Sequence, residues 1–544
     1  MAIIPIQNQY PDRAGYLGLD TDRNVLVGMS DGILRDMTNS IPEGWINVED
    51  FGAKGDGITD DTLAFQAISD YVNAKGYGLI NFGYNKVYRL GRQTFTGKAE
   101  GAAYADQPML NFENCNLLII NGNGSTLKLN DGLHYGSFDP VTGEVYNPPS
   151  GGFTDLNYAA IVGHIINIHN SKNIQIYNLK IDGNNENLII GGYWGDTGIQ
   201  LRAVGIQIRG SSNVFLNNIE SSYNGLDGLI LSGKICTEDG VGADNILITN
   251  SKFDFNGRQG CSILGGKGIK FVNSIFSNTG RGAIGSSPAS GVDIEPVSGC
   301  FAQEITFENC ITENNGYVGM VALSSISKNI NLNNCEIWEP NFGLMITTPN
   351  SYITNSKIHG HISDTDTTLI VENCIIDNKT HPVYGATATR DSSLLIQVDG
   401  YFKNCFINVE NKRFIYTGKP VTFDSCVFSF KGDAPDHDWM TVWNNASLYN
   451  CILKDEVTYT DKYFYYNKAK NLFNNINLGP NIKYSTWDDS GIIGVIPSNR
   501  DNVWEKGATR PTTPQTGQRF FDTTLGKPIW FNGTDWIDAT GTIV

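Results

Sequence analysis

Asp293 and Glu295 stand two residues apart in the phrase SGVDIEP, residues 290–296. Side chains of an extended strand alternate between faces, so the two acids share one face, with Cα atoms roughly 6.5 to 7 Å apart. Neighbouring carboxyls push their pKa values apart, which supplies a proton donor and an ionised base or nucleophile at one pH. That combination suits glycosidic cleavage: one acid protonates the leaving oxygen, and the other activates water or attacks the sugar. Inverting pairs stand about 6.5 to 9.5 Å apart, a spacing this strand geometry permits. Asp227 and Gln259, each just before the glycine of a related phrase, are expected beside the pair, with Asp227 a further candidate acid. Arg258, Arg281 and Arg209 are expected to reach the same groove, where an arginine would bind an acidic sugar's carboxylate. Tyr317 holds the coil position of Arg258. Tyr193 and Trp194, read as exposed aromatics on an insertion, suit either stacking on a sugar or packing of their own loop. Glu339 is a candidate third acid of the cleft.

The elements that must position these residues form a ladder. VGIQIRG, DGLILSG, QGCSILGG, SGVDIEP, VGMVALS and FGLMITT each carry a glycine followed by strand-like alternation. Aligned on Gly205, Gly228, Gly260, Gly291, Gly319 and Gly343, the next residues (Ile206, Leu229, Cys261, Val292, Met320, Leu344) point inward. Gln207, Ile230, Ser262, Asp293 and Val321 then point outward. Several outward positions are apolar, so a loop or a neighbouring subunit is expected to cover part of this face. Only the phrase of Asp293 places two acids there.

Between these phrases an asparagine returns in one slot: Asn178, Asn218, Asn250, Asn273, Asn309, Asn334, Asn355, Asn373, Asn404, Asn450 and Asn475. A period of about 20 to 30 residues with short strands means a β-solenoid. The longer intervals, 178–218 and 273–309, hold the insertions NENLIIGGYWGDTGIQLRA and GRGAIGSSPA, and such insertions commonly build a solenoid's binding cleft. Cys115, Cys310, Cys335, Cys374, Cys405, Cys426 and Cys451 follow the repeat, with Ser251, Ser274 and Ser356 in the same slot. They are therefore expected to stack inside the coils as reduced thiols, not to form disulfides or a metal site.

The 544 residues carry Lys+Arg 39 against Asp+Glu 56, a net charge of -17, which argues against nucleic acid or an anionic membrane as partner. No apolar run is long enough to span a bilayer, and the opening MAIIPIQNQYPDRAG lacks the basic and apolar regions of a secretory signal. Gly 60 and abundant Asn favour an all-β chain. Residues 1–45 are read as an arm or attachment module with a short hairpin, and 46–104 as the start of the solenoid. There Thr59 is the expected N-cap of a helix of about 15 residues, with Ala64, Phe65, Ile68 and Val72 as its apolar stripe. Asp56, Asp60 and Asp61 are assigned to turns and capping, not to a metal. Residues 105–480 form the coils. Residues 481–544 end in a hairpin, PIWFNGTDWIDA, whose aromatics Trp530, Phe531 and Trp536 are expected to pack against copies of themselves. Exposed aromatics at Phe414, Tyr416, Phe428, Tyr463, Phe464 and Tyr465 point to an oligomer interface.

The stretch NVEDFGAKGDGITDDTLAFQAI resembles the opening of the pectate-lyase-like family of right-handed parallel β-helices, common in bacteriophage tailspikes and polysaccharide depolymerases. The phrase GVDIEP resembles one at the active groove of such proteins. The resemblance implies a right-handed parallel β-helix with an N-terminal capping helix, assembled as a homotrimer. It further implies a phage tail protein, held to the tail or an adaptor through its N-terminal segment, that acts on a bacterial surface polysaccharide without a cofactor. Three readings stay open: a depolymerase that hydrolyses the glycan, a lyase acting on a uronic-acid glycan, and a tail fibre that binds without cutting.

Overall fold

The computed structural model describes residues 44–544 apart from 98–100, 148–154, 195–199, 234–242, 298, 325–326 and 385–393. Beyond 409 further segments are left out, the longest being 410–414, 431–438, 456–462 and 488–504. Before residue 44 it describes three strands, Leu17–Asp20, Val25–Ser30 and Ile33–Asp36, paired antiparallel, so the expected hairpin has a third strand. The chain divides into two compact units, one reaching Asp391 with Leu395–Asp399, the other Ser392–Leu394 with Gly400–Val544.

The first unit is built from coils of three short parallel strands. One coil contributes Gln259–Ile263 to a first sheet, Gly266–Val272 to a second and Ile275–Ser277 to a third, and each strand pairs with its counterpart in the next coil. The shared glycine is a steric requirement. A Cβ at Gly260 would lie 2.5 Å from the carbonyl oxygen of Gly291, and one at Gly228 2.7 Å from that of Gly260. Leu229, Cys261, Val292, Met320 and Leu344, each one residue on, are buried, and so are Ile230, Ser262, Asp293 and Val321 of the column expected to point outward.

The asparagine slot is the corner between the second and third sheets. Asn178, Asn218, Asn250, Asn273, Asn309, Asn334, Asn355, Asn373, Asn404 and Asn450 all have φ near +50°, where a short polar side chain is tolerated, while Asn475 lies outside the described residues. Their amides bond from coil to coil, for example Asn309 to Asn273 at 3.1 Å and Asn334 to Asn309 at 2.7 Å. The seven repeat cysteines are buried free thiols. Cysteine and serine are interchangeable there because each donates to the carbonyl two residues back, as Cys310 does to Glu308 and Ser274 to Val272. Cys300, outside that slot, is disulfide-bonded.

The helix is Thr62–Lys75, with Asp61, not Thr59, at its N-cap. Thr59 instead donates to Asp56, while Asp61 accepts from the N–H groups of Lys54 (2.7 Å) and Gly55 (3.1 Å). Phe65, Ile68 and Val72 form its buried stripe, and Phe65 packs on Phe82 and Tyr88. A lateral five-stranded sheet collects Gln93–Phe95, Tyr104–Asp106, His134–Ser137, Ala159–Ala160 and Ile189–Ile190.

In the second unit, coils of the same kind run from Gly400, and the chain ends in a four-stranded sheet, not a lone hairpin. Phe520, Ile529 and Trp536 form its core, with Phe531 packed against it, so two of the three aromatics expected at a copy-to-copy contact serve this module's own interior. Phe428 is likewise buried inside its coil, against Phe423, and does not mark an interface. The side chains of Phe414, Tyr416, Tyr463, Phe464 and Tyr465 lie outside the described residues.

Candidate active site

Three first-sheet strands, Asp227–Ser232, Gln259–Ile263 and Ser290–Ile294, bring the acids together. Asp227 lies opposite Gln259, Gln259 opposite Ser290, and Ser262 opposite Asp293. Side-chain contacts then run diagonally between coils. Ser262 Oγ donates to Asp227 Oδ2 at 2.7 Å, and Gln259 Nε2 donates to Asp293 Oδ2 at 2.7 Å. Gln259 Oε1 accepts from the N–H (3.0 Å) and hydroxyl (2.5 Å) of Ser290, which turns its amino group toward Asp293. The other oxygen of each acid, Oδ1, is buried without a hydrogen-bond partner, and so is Nε of Arg258. Buried polar atoms left unsatisfied are uncommon and mark places where a ligand, water or proton is handled.

This face is covered. Asp293 is 2% exposed and Asp227 1%, although both lie on the side of the strands away from the coil interior. Tyr135, from the lateral sheet, lies close enough to feel the charges of Asp227 and Arg258, and its hydroxyl donates to the Leu201 carbonyl at 2.6 Å. Burial pushes the Asp293 pKa up to about 7; Glu295 adds to the rise, Arg258 opposes it, and Asp227 adds again. Burial pushes Asp227 up to about 6, against the pull of Arg258 and of its bond from Ser262. Glu295, just past the strand end, is exposed. The site thus holds two carboxyls that titrate near neutrality and a third open to solvent.

The other expected residues divide. Arg258 and Gln259 stand with the acids. Arg209 is paired with Ser232 three coils before Glu295, roughly 14 Å away at ~4.8 Å per coil. Arg281 is committed to backbone, donating to the carbonyls of Asn314 (3.2 Å) and Asn315 (2.9 Å). Glu339 is no cleft acid: it is buried, accepts from the Asn315 N–H (2.6 Å) and amide (2.8 Å), and burial pushes its pKa up to about 8. Tyr193 is exposed, whereas Trp194 is buried, so loop packing accounts for it. Tyr317 is exposed with its ring 5.4 Å from Phe342, and it sits two coils beyond Arg258, with Ala289 in the position between. Ser262 and Ser290 were not singled out by sequence. The available signal was their position in the aligned phrases, Ser262 in the outward column of Asp293 and Ser290 in the column of Asp227 and Gln259.

Residues 153–296 match the family model described as "Right handed beta helix region". No curated protein matches the sequence. Among solved structures the chain is similar to the Azotobacter vinelandii mannuronan C-5 epimerase AlgE6 A-module, at 14% identity and TM-score 0.43, covering 82% of this chain and 99% of that one. It is similar to PfbA, a surface adhesin of Streptococcus pneumoniae, at 13% identity and TM-score 0.38, covering 82% and 93%. It is also similar to the tailspike gp49 of Acinetobacter baumannii bacteriophage Fri1, a capsular polysaccharide depolymerase, at 12% identity and TM-score 0.40, covering 84% and 69%. Identity is low in each, and no activity passes to this chain through them. The stacked parallel coils and the family match over residues 153–296 give the fold, a right-handed parallel β-helix.

Proposed function

We propose that this chain binds a bacterial surface polysaccharide and cleaves it by glycosidic hydrolysis, as the tailspike of a phage. The observation that carries the chemistry is the buried, unpartnered Oδ1 of Asp293, on a carboxyl that keeps its proton to about pH 7. Gln259 occupies the other oxygen, so the proton resides on the free one, as a general acid requires. Glu295, exposed one position past the strand, is the carboxylate that activates water or attacks the sugar. Asp227 acts through its charge, which helps hold the proton on Asp293.

Hydrolysis is favoured over elimination by the distribution of cations. A lyase must neutralise a uronate before its base removes the neighbouring proton. Of the three arginines expected to do this, Arg209 is coils away, Arg281 is committed to carbonyls, and Arg258 already faces two acids.

The test is release of reducing ends from purified capsular polysaccharides. Wild type should shorten one of them, and Asp293→Asn should lower turnover by roughly 10²-fold or more, the usual scale of general acid catalysis, while still binding. Binding without shortening by the wild type would reduce the protein to an adhesin, and products carrying an unsaturated sugar would make it a lyase. Homotrimeric assembly and attachment through the N-terminal segment belong to the same reading. Light scattering at micromolar concentration should report three copies of the 59.6 kDa chain, and a stable monomer would refute it.

A further inference from the structure

The turn from the third sheet back to the first contains a column of residues in the left-handed region, Tyr223 (φ 57°), Phe255 (52°), Asn278 (54°) and Asn314 (53°), with Gly183 in the coil before them. Asparagine enters this region readily because its short side chain bonds locally, whereas a bulky aromatic there is strained. Such strain persists where surrounding structure imposes it and gathers at ligand-binding sites. Two successive coils therefore carry a residue type that the backbone disfavours, in place of the asparagine of the two coils that follow.

The aromatics are not needed to close the turn. Beneath them Asn224 Nδ2 donates to Asn256 Oδ1 at 2.8 Å, and Asn256 Nδ2 to the Ser221 carbonyl at 3.1 Å. Nor do they belong to the coil interior, since both are half-buried. Their rings are parallel within 1° with centroids 5.1 Å apart. Parallel rings in contact at about 3.5 Å reach that separation only by sliding sideways, which leaves part of each face open.

Both insertions meet at this edge. Asn185, from the first, donates to the carbonyls of Asn224 (3.3 Å) and Phe255 (3.4 Å). From the second, the Ser286 N–H donates to the Gly257 carbonyl at 2.9 Å, and a Cβ at Gly282 would come within 3.5 Å of the Asn185 amide. Polar groups surround the rings: Asp254, Glu186, Asp182 and Lys252 lie near enough for their charges to act on the Tyr223 phenol. Four residues further along the same turns come Asp227 and Gln259.

We propose that Tyr223 and Phe255 form a saccharide subsite, in which a sugar ring lies on the offset faces while the exposed carboxylate of Glu186 takes one of its hydroxyls. The subsite rests on the reading of the acids as a glycan-cleaving centre and would hold the chain a short turn away from them. The experiment compares wild type with Y223N/F255N against a panel of purified capsular polysaccharides, neutral and uronic, measuring KM, kcat, Kd and melting temperature. Because asparagine is the residue of the two following coils, the double variant should melt no lower than wild type. Its KM should rise about tenfold or more with a much smaller change in kcat, the signature of lost ground-state binding. Tyr223→Phe keeps the ring and should restore affinity. An unchanged KM in a folded double variant overturns the subsite. So does a drop in melting temperature with KM unchanged or with kcat lost in step, which would make the pair structural. If wild type binds a polysaccharide without cutting it, the hydrolytic reading falls and Kd of the double variant alone decides this one. If wild type binds none of the panel, both fall.

Discussion

Asp293 has a bound oxygen, a free one and a proton that burial retains, and its pH behaviour follows. Its folded pKa of about 7 lies above the ordinary aspartate value of 3.8, so the acid form persists to neutrality and disappears as pH rises through 7. We therefore expect kcat/KM to fall above about pH 7. Asp227→Asn removes one of the charges that hold the proton on, so the falling limb should move to lower pH with only a modest loss of rate. Glu295→Gln removes a larger charge effect and the second catalytic group, and should both move the limb and cost roughly 10²-fold or more. A limb that stays in place in both variants would remove Asp293 from the role of acid. The linkage to stability has the opposite sense from that of an ordinary ion-paired carboxylate. Asp227 and Asp293 bind protons more tightly folded than unfolded, so what they contribute is present below about pH 4 and is lost as pH climbs through about 6 and 7. The face of Asp293 was legible in the sequence, because strand alternation has a fixed period, whereas Asp227 has the parity of inward Leu229 and joins the outward side only through its contact with Ser262. Their burial was not legible: Tyr135 comes from a segment some 90 residues earlier in the chain, and no periodicity links it to Asp227.

At the level of elements, the coils declared themselves through repetition. One slot requires glycine because carbonyls of adjacent coils leave no room for a Cβ, another accepts asparagine because the corner is left-handed, and a third takes a small side chain that bonds backward. Each requirement recurs through successive coils, as from Gly205 to Gly343, so each prints a period. The lateral sheet had no such trace, since its strands are two to four residues long and drawn from five scattered segments. The corner can be tested by separating its two components at Asn309, which donates to Asn273 and accepts from Asn334. Asn309→Ala loses the ladder bonds, worth ~0.5–1.5 kcal/mol each, and meets a left-handed penalty of ~1–2 kcal/mol. Asn309→Gly loses the bonds but largely escapes the penalty. Denaturant unfolding should rank wild type above Gly above Ala. If Ala and Gly are equal, the conformation of the corner is not what selects asparagine.

For the molecule as a whole, charge limits what the groove accepts. The chain carries a net charge of -17, and the candidate site adds Asp227, Asp293 and Glu295 against Arg258. A uronic-acid polymer approaching such a surface is repelled over distances set by salt, about 30 Å at 0.01 M and about 10 Å at 0.1 M. Its association rate would then climb as salt is added, the reverse of electrostatic steering. A neutral glycan experiences no such field. The site has too few uncommitted cations to offset a polyanion, so we expect a backbone that is neutral at the point of cleavage. With the polysaccharide that wild type cleaves, kcat/KM should then vary by less than about twofold between low salt and several tenths molar sodium chloride. A rate that rises steeply with salt would point to an anionic chain. Arg258 would then have to be the group that neutralises a uronate, and elimination would displace hydrolysis as the chemistry of Asp293 and Glu295.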